Sequence, residues 1–318
     1  MPRRDSERWT QVRDDAWRQA ARLTVPFGWE DLPIPVAALA AQVGVRKVFF
    51  RRFAADGQLE VRDDGGFDLR LHPLNGNARL LRQEYLQRGG RGLHPRIRFT
   101  IAHEIAHALF FARDEDQAAR ELYEPRNRRD EVRIERECNR IAAALLMPES
   151  LVCHARVALG ADSMNPREIL ALTRVFGVSL EALALRLGEV RWLAGLNGGV
   201  LLVSGKDPKV TSWMPGTERI CGDLEKGMHV RSLFGDERLR LFGGDQDDAL
   251  VRVAVASELA KLTGREVERT LHVRTCLRGE AGQRKYVVTI ELVGEEETAS
   301  PERGSSTAAA PAAPEVRS

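Results

Sequence analysis

The residues with the clearest chemical potential lie in the stretch RIRFTIAHEIAHALFF, residues 96–111. On an α-helix, residues four apart differ by about 40° in azimuth, so His103 and His107 project from one face and can reach the same ion. Imidazole nitrogen is a favoured zinc ligand, and the pair supplies two corners of a tetrahedron. Glu104 lies about 100° around the helix, where its carboxylate can contact a water without occupying the metal. This placement favours Glu104 as a general base.

An ordinary buried helix that carries two histidines by chance is the alternative interpretation. The stretch is otherwise apolar, with Phe99, Ile101 and Ile105 among its side chains, so the three ionisable groups would lie in or beside a core. Burying them without partners would be costly. A metal ion removes that cost, and we therefore favour a metal site.

A catalytic zinc site needs a third protein ligand and an open fourth position. The helical stretch IERECNRIAAALLMP offers Glu135 and Glu137, which point about 200° apart on a helix. Asn139 shares a face with Glu135 and could orient a ligating histidine through a hydrogen bond. We predict that Glu135 is the ligand. A solvated helix residue is the alternative for either glutamate.

The elements that must position these residues indicate an α+β fold. Amphipathic periodicity predicts a helix over residues 6–24 and a second one in PIPVAALAAQVG, before the histidine helix, which runs from about Pro95 to Phe111. The stretches VRKVFFRRF, GQLEVRDD and GGFDLRLHP resemble strands separated by turns and predict a small antiparallel sheet. NGNARLLRQEYLQRGGRG predicts a loop or a short exposed helix. Pro148 should end the glutamate helix.

Residues 165–190, NPREILALTRVFGVSLEALALRLGEV, predict two short helices that meet at Gly177. Asn165 and Ser179 are typical N-caps. The pair resembles a helix-turn-helix, and a helical hairpin packed on the preceding domain is the other interpretation. A DNA-reading helix usually offers several basic or amide side chains, whereas the second helix has only Arg186 against two glutamates. Direct DNA binding is therefore disfavoured.

Changes in sequence texture divide the chain into four parts. We expect a metallopeptidase domain over residues 1–160, the helical segment over 161–190 and a separate α/β or β-rich domain over 191–295 with one or two helices. Residues 296–318 are of low complexity and are expected to form a disordered tail.

Composition excludes several classes of protein. The chain has 48 basic and 46 acidic residues, a net charge of +2, so no global field favours nucleic acid or an anionic membrane. No apolar run approaches the roughly 20 residues of a membrane helix, and the N-terminus lacks the apolar core of a signal peptide. The four cysteines are scattered and predict neither a disulfide framework nor a thiolate zinc site. We expect a cytoplasmic protein.

Three motifs, RIRFTIAHEIAH, ERECNRIAAALLMP and LTRVFGVSLEALALRL, resemble in this order those of the ImmA/IrrE family of zinc metallopeptidases. The resemblance covers roughly residues 10–190. It implies a gluzincin-like, zincin-type peptidase in which His103, His107 and Glu135 hold one zinc ion and Glu104 is the base. Manganese or iron could enter the same set of ligands.

The resemblance also implies a substrate. Enzymes of this family typically cut a helix-turn-helix transcriptional repressor, often encoded nearby, and so switch on a stress response or release a mobile element. Some members carry a sensor-like domain in the place that residues 191–295 occupy here. The expected partner is therefore such a repressor.

Several roles stay open at this stage. Tyr123 and His154 are candidates for stabilising the oxyanion, with a surface tyrosine and a core histidine as the alternatives. An edge strand formed by GGFDLRLHP could hold an extended substrate by strand addition, or it could simply be part of the fold. The competing function is a DNA-binding transcriptional regulator in which residues 165–190 read DNA and the zinc is structural or vestigial.

Overall fold

The computed structural model describes residues 2–110, 128–158, 165–190, 198–204, 209–215, 246–255, 267–278 and 285–297. In these ranges, helices α1 to α8 span Pro2–Thr24, Val36–Gln42, Ala78–Arg88, Pro95–Phe110, Arg128–Leu146, Glu149–Ala158, Pro166–Phe176 and Leu180–Glu189. Strands β1 to β8 span Val45–Phe50, Gly57–Val61, Phe67–Leu71, Gly198–Ser204, Lys209–Pro215, Gln246–Val255, Val267–Arg278 and Lys285–Glu297. The chain is α+β, in agreement with the predicted class.

Helix α4, which carries the histidine motif, lies at the centre of the N-terminal core. It packs against α1, α2 and α5 and against strands β2 and β3. Its residues Ile101 and Ile105 are completely buried. The apolar side chains of the motif therefore fix the helix in the core, whereas the face that carries His103 and His107 stays partly exposed.

The first sheet is mixed, with the strand order β1-β3-β2. Strand β3 pairs antiparallel with β2 and parallel with β1, so the prediction of an antiparallel sheet is wrong for β1. Burial explains why β3 lies between the other two strands. Phe67, Leu69 and Leu71 of β3 are all buried, and the most buried strand takes the central place. The stretch GGFDLRLHP is consequently not an edge strand, and the predicted edge role falls to β2.

Capping residues set the ends of the helices as the sequence indicates. The Asn77 side chain accepts hydrogen bonds from the first turn of α3, so NGNARLLRQEYLQRGGRG contains a true helix. Asn165 caps α7 and Ser179 caps α8 in the same way. Gly177 ends α7 with φ of 63°, a left-handed conformation that glycine adopts without a steric penalty.

Helices α7 and α8 form a hairpin that packs on the N-terminal core. Phe176 and Leu183 are fully buried and belong to the same hydrophobic cluster as Ile101. The guanidinium group of Arg186 is also buried, where it donates to the Met147 carbonyl at 3.0 Å and pairs with Glu189 at 3.2 Å. These contacts favour the packed-hairpin interpretation of residues 165–190.

The second sheet has the strand order β5-β4-β8-β7-β6, and each neighbouring pair is antiparallel. The strands expected after residue 191 are therefore present. The one or two helices expected in this region lie outside the described residues. The predicted tail also lies outside the described residues, except for residues 296 and 297, which end β8. Within the described ranges, none of the helices is both long and apolar enough to cross a membrane.

Candidate metal centre and active-site cleft

Helices α4 and α5 bring the three predicted ligands together. The Nε2 atoms of His103 and His107 lie 3.1 Å apart. The Glu135 carboxylate lies 3.2 Å from His103 Nε2 through one oxygen and 3.3 Å from His107 Nε2 through the other. Since the histidines are one turn apart on α4, a single carboxylate from α5 can face both.

The spacing of these atoms fits a tetrahedral ion. Ligand atoms about 2.0–2.1 Å from such an ion lie about 3.3–3.4 Å from one another. The three observed separations, 3.1, 3.2 and 3.3 Å, are close to that value. Among the described residues, His103, His107 and Glu135 are the one group of histidine, cysteine and acidic side chains that could hold a metal ion. Two imidazoles and one carboxylate suit zinc, with manganese or iron as substitutes.

The second glutamate of α5 points elsewhere. Glu137 accepts a hydrogen bond from the indole nitrogen of Trp17 at 3.0 Å and pairs with Arg140 at 3.1 Å. These contacts tie α5 to α1 and occupy the Glu137 carboxylate. Of the two candidates, Glu135 is therefore the one that faces the histidines.

The expected support for a ligating histidine is not formed by Asn139. Asn139 lines the cleft into which His103, His107 and Glu135 also project. In the described structure, however, no hydrogen bond joins Asn139 to His103 or His107. The Nδ1 atom of His103 is buried and has no partner among the described groups. The helical spacing places Asn139 on the right face of α5, but it does not fix the length or direction of its side chain.

Glu104 is buried in the wall of the cavity, with 8% of its surface exposed. Burial raises the pKa of the Glu104 carboxyl to about 7, the nearby charge of Glu135 adds to the rise, and the backbone N–H of Leu59 opposes it. A carboxylate whose pKa is near neutrality is a stronger proton acceptor than a solvated one. A cation held by the three ligands would favour its charged form.

The cleft around these residues has a volume of about 560 Å³. Helix α4 forms one wall and residues 56–59, at the start of β2, form the other. Strand β2 pairs with β3 on one side, so among the described strands its other edge is free. Residues 57–59 of this strand line the cleft together with the three candidate ligands.

Gly57 is a residue of the site that sequence reasoning missed. A Cβ atom at this position would lie 2.5 Å from Cγ2 of Thr100 and 2.7 Å from Oε1 of Glu104. Strand β2 can approach α4 this closely only because residue 57 has no side chain. In the sequence, Gly57 is the first residue of the stretch GQLEV and is readily taken for the end of the preceding turn, and no local signal distinguishes a turn from a close approach.

Of the two candidates for oxyanion stabilisation, the structure describes one. His154 lies on α6, exposed, with its ring centroid 4.8 Å from that of Trp29, and it does not line the cavity. Tyr123 lies outside the described residues.

One known protein family matches this part of the chain in sequence. Residues 93–188 match the model of the Peptidase_M78 family, described as the IrrE N-terminal-like domain. The matched range contains helices α4 to α8 and therefore all four of His103, Glu104, His107 and Glu135. No curated protein matches the chain in sequence. The resemblance to the ImmA/IrrE family is confirmed over this range.

Proposed function

We propose that this chain, whose residues 93–188 match the model of the IrrE N-terminal-like domain, is a zinc-dependent endopeptidase that cuts a helix-turn-helix transcriptional repressor. One observation carries the proposal of peptidase chemistry. Three metal-ligand atoms and a separate buried carboxylate, that of Glu104, meet in one open cleft. This is the minimum set for hydrolysis assisted by a metal and a general base.

The chemistry divides between the ion and the chain. A divalent ion held by His103, His107 and Glu135 would polarise the peptide carbonyl and lower the pKa of the attacking water. Glu104 can accept the proton of that water at its carboxylate and return it to the leaving amine. Because Glu104 is not among the ligands, its oxygens are available for this transfer.

The free edge of β2 supports a peptide as the substrate. An extended chain can add to an edge strand through backbone hydrogen bonds, and this places a peptide bond beside the cleft. Gly57 and Leu59 stand on the edge strand next to Glu104. An extended linker of a folded protein would fit this geometry better than a helix.

The choice of a repressor as substrate rests on the ImmA/IrrE resemblance. Such a substrate would also place the chain in the cytoplasm and connect cleavage to stress-response or mobile-element genes. Under the same proposal, the sheet of β4 to β8 is the candidate sensor domain.

A cleavage assay tests the proposal. The purified chain, with and without a chelator, is incubated with helix-turn-helix repressors encoded beside its gene, and fragments are identified by mass spectrometry. Glu104→Gln should keep zinc and lose cleavage, whereas His103→Ala should lose both. Glu137→Gln serves as a control with the same chemical change on the neighbouring helix. Cleavage by Glu104→Gln would contradict the assignment of the base, and cleavage that survives metal removal would contradict the metallopeptidase.

The DNA-binding alternative gains nothing from the described hairpin. Arg186, the basic residue of α8, is buried and bonded to Met147 and Glu189. The exposed residues of α8 include Glu181 and Leu185 and offer no positive charge to phosphate groups. A salt-dependent gel shift with promoter DNA would be the result that revives it.

A further inference from the structure

A second cavity, of about 670 Å³, lies next to the catalytic cleft. Its walls come from residues 53–56 before β2, residues 72–76 after β3, helix α3 and the first turn of α4. Asp56 lines both cavities. The candidate metal centre and Glu104 do not account for this space, and the shared residue makes it adjacent to the cleft.

The boundary between the two cavities is an ion pair. Arg96 of α4 contacts the Asp56 carboxylate at 2.6 Å and 2.9 Å. Arg96, Thr100, His103 and His107 are spaced four, three and four residues apart, so they lie along one face of α4. A substrate that follows this face from the metal ligands toward the start of the helix therefore arrives at the ion pair.

Two independent distances give the length of this path. Seven helical residues separate His103 from Arg96, a rise of about 10 Å. Three strand residues separate Leu59 from Asp56, which also corresponds to about 10 Å. An extended peptide covers that length with about three residues. The side chain three positions from the residue beside Leu59 would thus reach the second cavity.

The walls of the second cavity are mainly apolar. Phe53, Leu74, Leu81 and Ile97 contribute side chains to it. The charge of Asp56 is already matched by Arg96, so the boundary offers no unpaired charge to a ligand. This combination suits a neutral, apolar group.

Two histidines supply hydrogen-bond donors in the same cavity. His72 Nδ1 accepts from the backbone N–H of Leu74 at 3.0 Å, and His94 Nδ1 accepts from that of Arg96 at 3.2 Å. A neutral imidazole with an accepting Nδ1 carries its proton on Nε2. Each ring can therefore donate to a carbonyl oxygen, the group that an extended peptide presents.

We propose that the second cavity is a substrate subsite that takes an apolar side chain of the peptide, three residues from the one beside Leu59. The proposal rests on the proposed peptidase function and adds a sequence requirement to it. The subsite would make the enzyme choose among extended peptides by an apolar residue at a fixed distance from the cut.

A filled cavity tests the subsite. Ala55→Trp introduces a large side chain at an exposed position that lines the cavity, and Ala21→Trp, exposed on α1, is the control. Cleavage sites are first mapped by mass spectrometry on a library of proteome-derived peptides. Two peptides that differ only by leucine or alanine at the predicted position are then compared. The unaltered chain and Ala21→Trp should cut the leucine peptide about tenfold faster in kcat/KM. Ala55→Trp should cut both peptides at the rate of the alanine peptide.

The outcomes separate this proposal from the peptidase function. Cleavage without an apolar preference at that position, or a preference that survives Ala55→Trp, overturns the subsite alone. If no peptide is cut, binding to Glu104→Gln is measured by fluorescence anisotropy with two labelled extended peptides that are identical except that one has leucine and the other alanine at every third position. A leucine preference that Ala55→Trp removes would keep the subsite and overturn the peptidase function. Equal binding of both peptides would overturn both.

Discussion

Replacing Gly57 by alanine should remove most of the proposed peptidase activity, although Gly57 takes no part in the chemistry. The added Cβ would lie 2.5 Å from Thr100 Cγ2 and 2.7 Å from Glu104 Oε1. Carbon atoms in contact are normally about 3.5–4.0 Å apart. Either strand β2 must therefore move by about 1 Å, or the side chains of both Thr100 and Glu104 must shift away from it.

The expected loss follows from that displacement. A shift of about 1 Å at a reacting group can cost about 100-fold in rate, and we expect kcat/KM to fall by about this factor. Overpacking should lower the free energy of unfolding by about 1–3 kcal/mol. Zinc content should not change, because the added atom meets Thr100 and Glu104 and none of the three ligands.

The assay combines hydrolysis of a fluorogenic peptide with metal analysis of the same sample. Val61→Ala, an exposed change on the same strand outside the cleft, is the matched control and should be nearly neutral. Adding Thr100→Ser to Gly57→Ala removes the closer of the two overlaps and keeps the hydroxyl that donates to the Arg96 carbonyl at 2.9 Å. Part of the activity should return. Full activity in Gly57→Ala would refute the claim that the strand sets the position of Glu104.

Two further predictions concern α4 and α5. Arg98→Met should lower the free energy of unfolding by about 3–5 kcal/mol, because four backbone carbonyls lose a buried charged donor. Denaturant unfolding of the metal-free protein measures the change in the free energy of unfolding. Arg96→Met, which breaks the exposed Arg96–Asp56 ion pair, is the control and should cost at most about 1 kcal/mol. Equal losses in the two variants would contradict the argument. Glu135→Gln should lower zinc occupancy measured by native mass spectrometry, whereas Glu137→Gln should keep it. The reverse pattern would make Glu137 the ligand.

The ligand positions could be predicted because their geometry is mostly local. Residues four apart lie on the same face of any α-helix, so the shared face of His103 and His107 could be predicted without knowledge of the fold. The choice of Glu135 over Glu137 depends on how α5 rotates against α4. The sequence contains that rotation indirectly, since Ile134, Cys138 and Ile141 form the buried stripe of α5. Glu135 lies at the border of that stripe, where it can face α4.

The parts that could not be predicted are contacts between distant segments. The strand pattern marks β1, β2 and β3 but not which strand lies between the others. The alternation of apolar and polar residues within a strand indicates which face of that strand is buried. The order of the strands in the sheet depends instead on how the connecting segments cross between them. The approach of Gly57 to Glu104 follows from the same order, because it requires β2 at the edge beside α4. Hence the place of Glu104 beside the two histidines could be predicted, and the strand that packs against it could not.

Arg98 explains why the helical hairpin belongs to the same unit as the metal site. It is completely buried, and its guanidinium donates to the carbonyls of Ile34 at 2.9 Å, Gly90 at 2.8 Å and Gly177 at 3.1 Å. Gly90 and Gly177 lie just after the ends of α3 and α7, where helix dipoles leave partial negative charge. Burial, with a smaller contribution from Arg91, lowers the pKa of Arg98 to about 10, so the group stays charged at neutral pH.

The position of Arg98 on α4 gives this contact a consequence for function. Arg98 precedes His103 by five residues on the same helix, and its bond to Gly177 joins that helix to the turn of the hairpin. A hairpin that moved away to read DNA would remove the Gly177 carbonyl and leave buried Arg98 with the carbonyls of Ile34 and Gly90, at a cost of about 1.5–3 kcal/mol for the lost hydrogen bond to a charged group. The hairpin is therefore better suited to hold the metal-binding helix in place than to bind DNA.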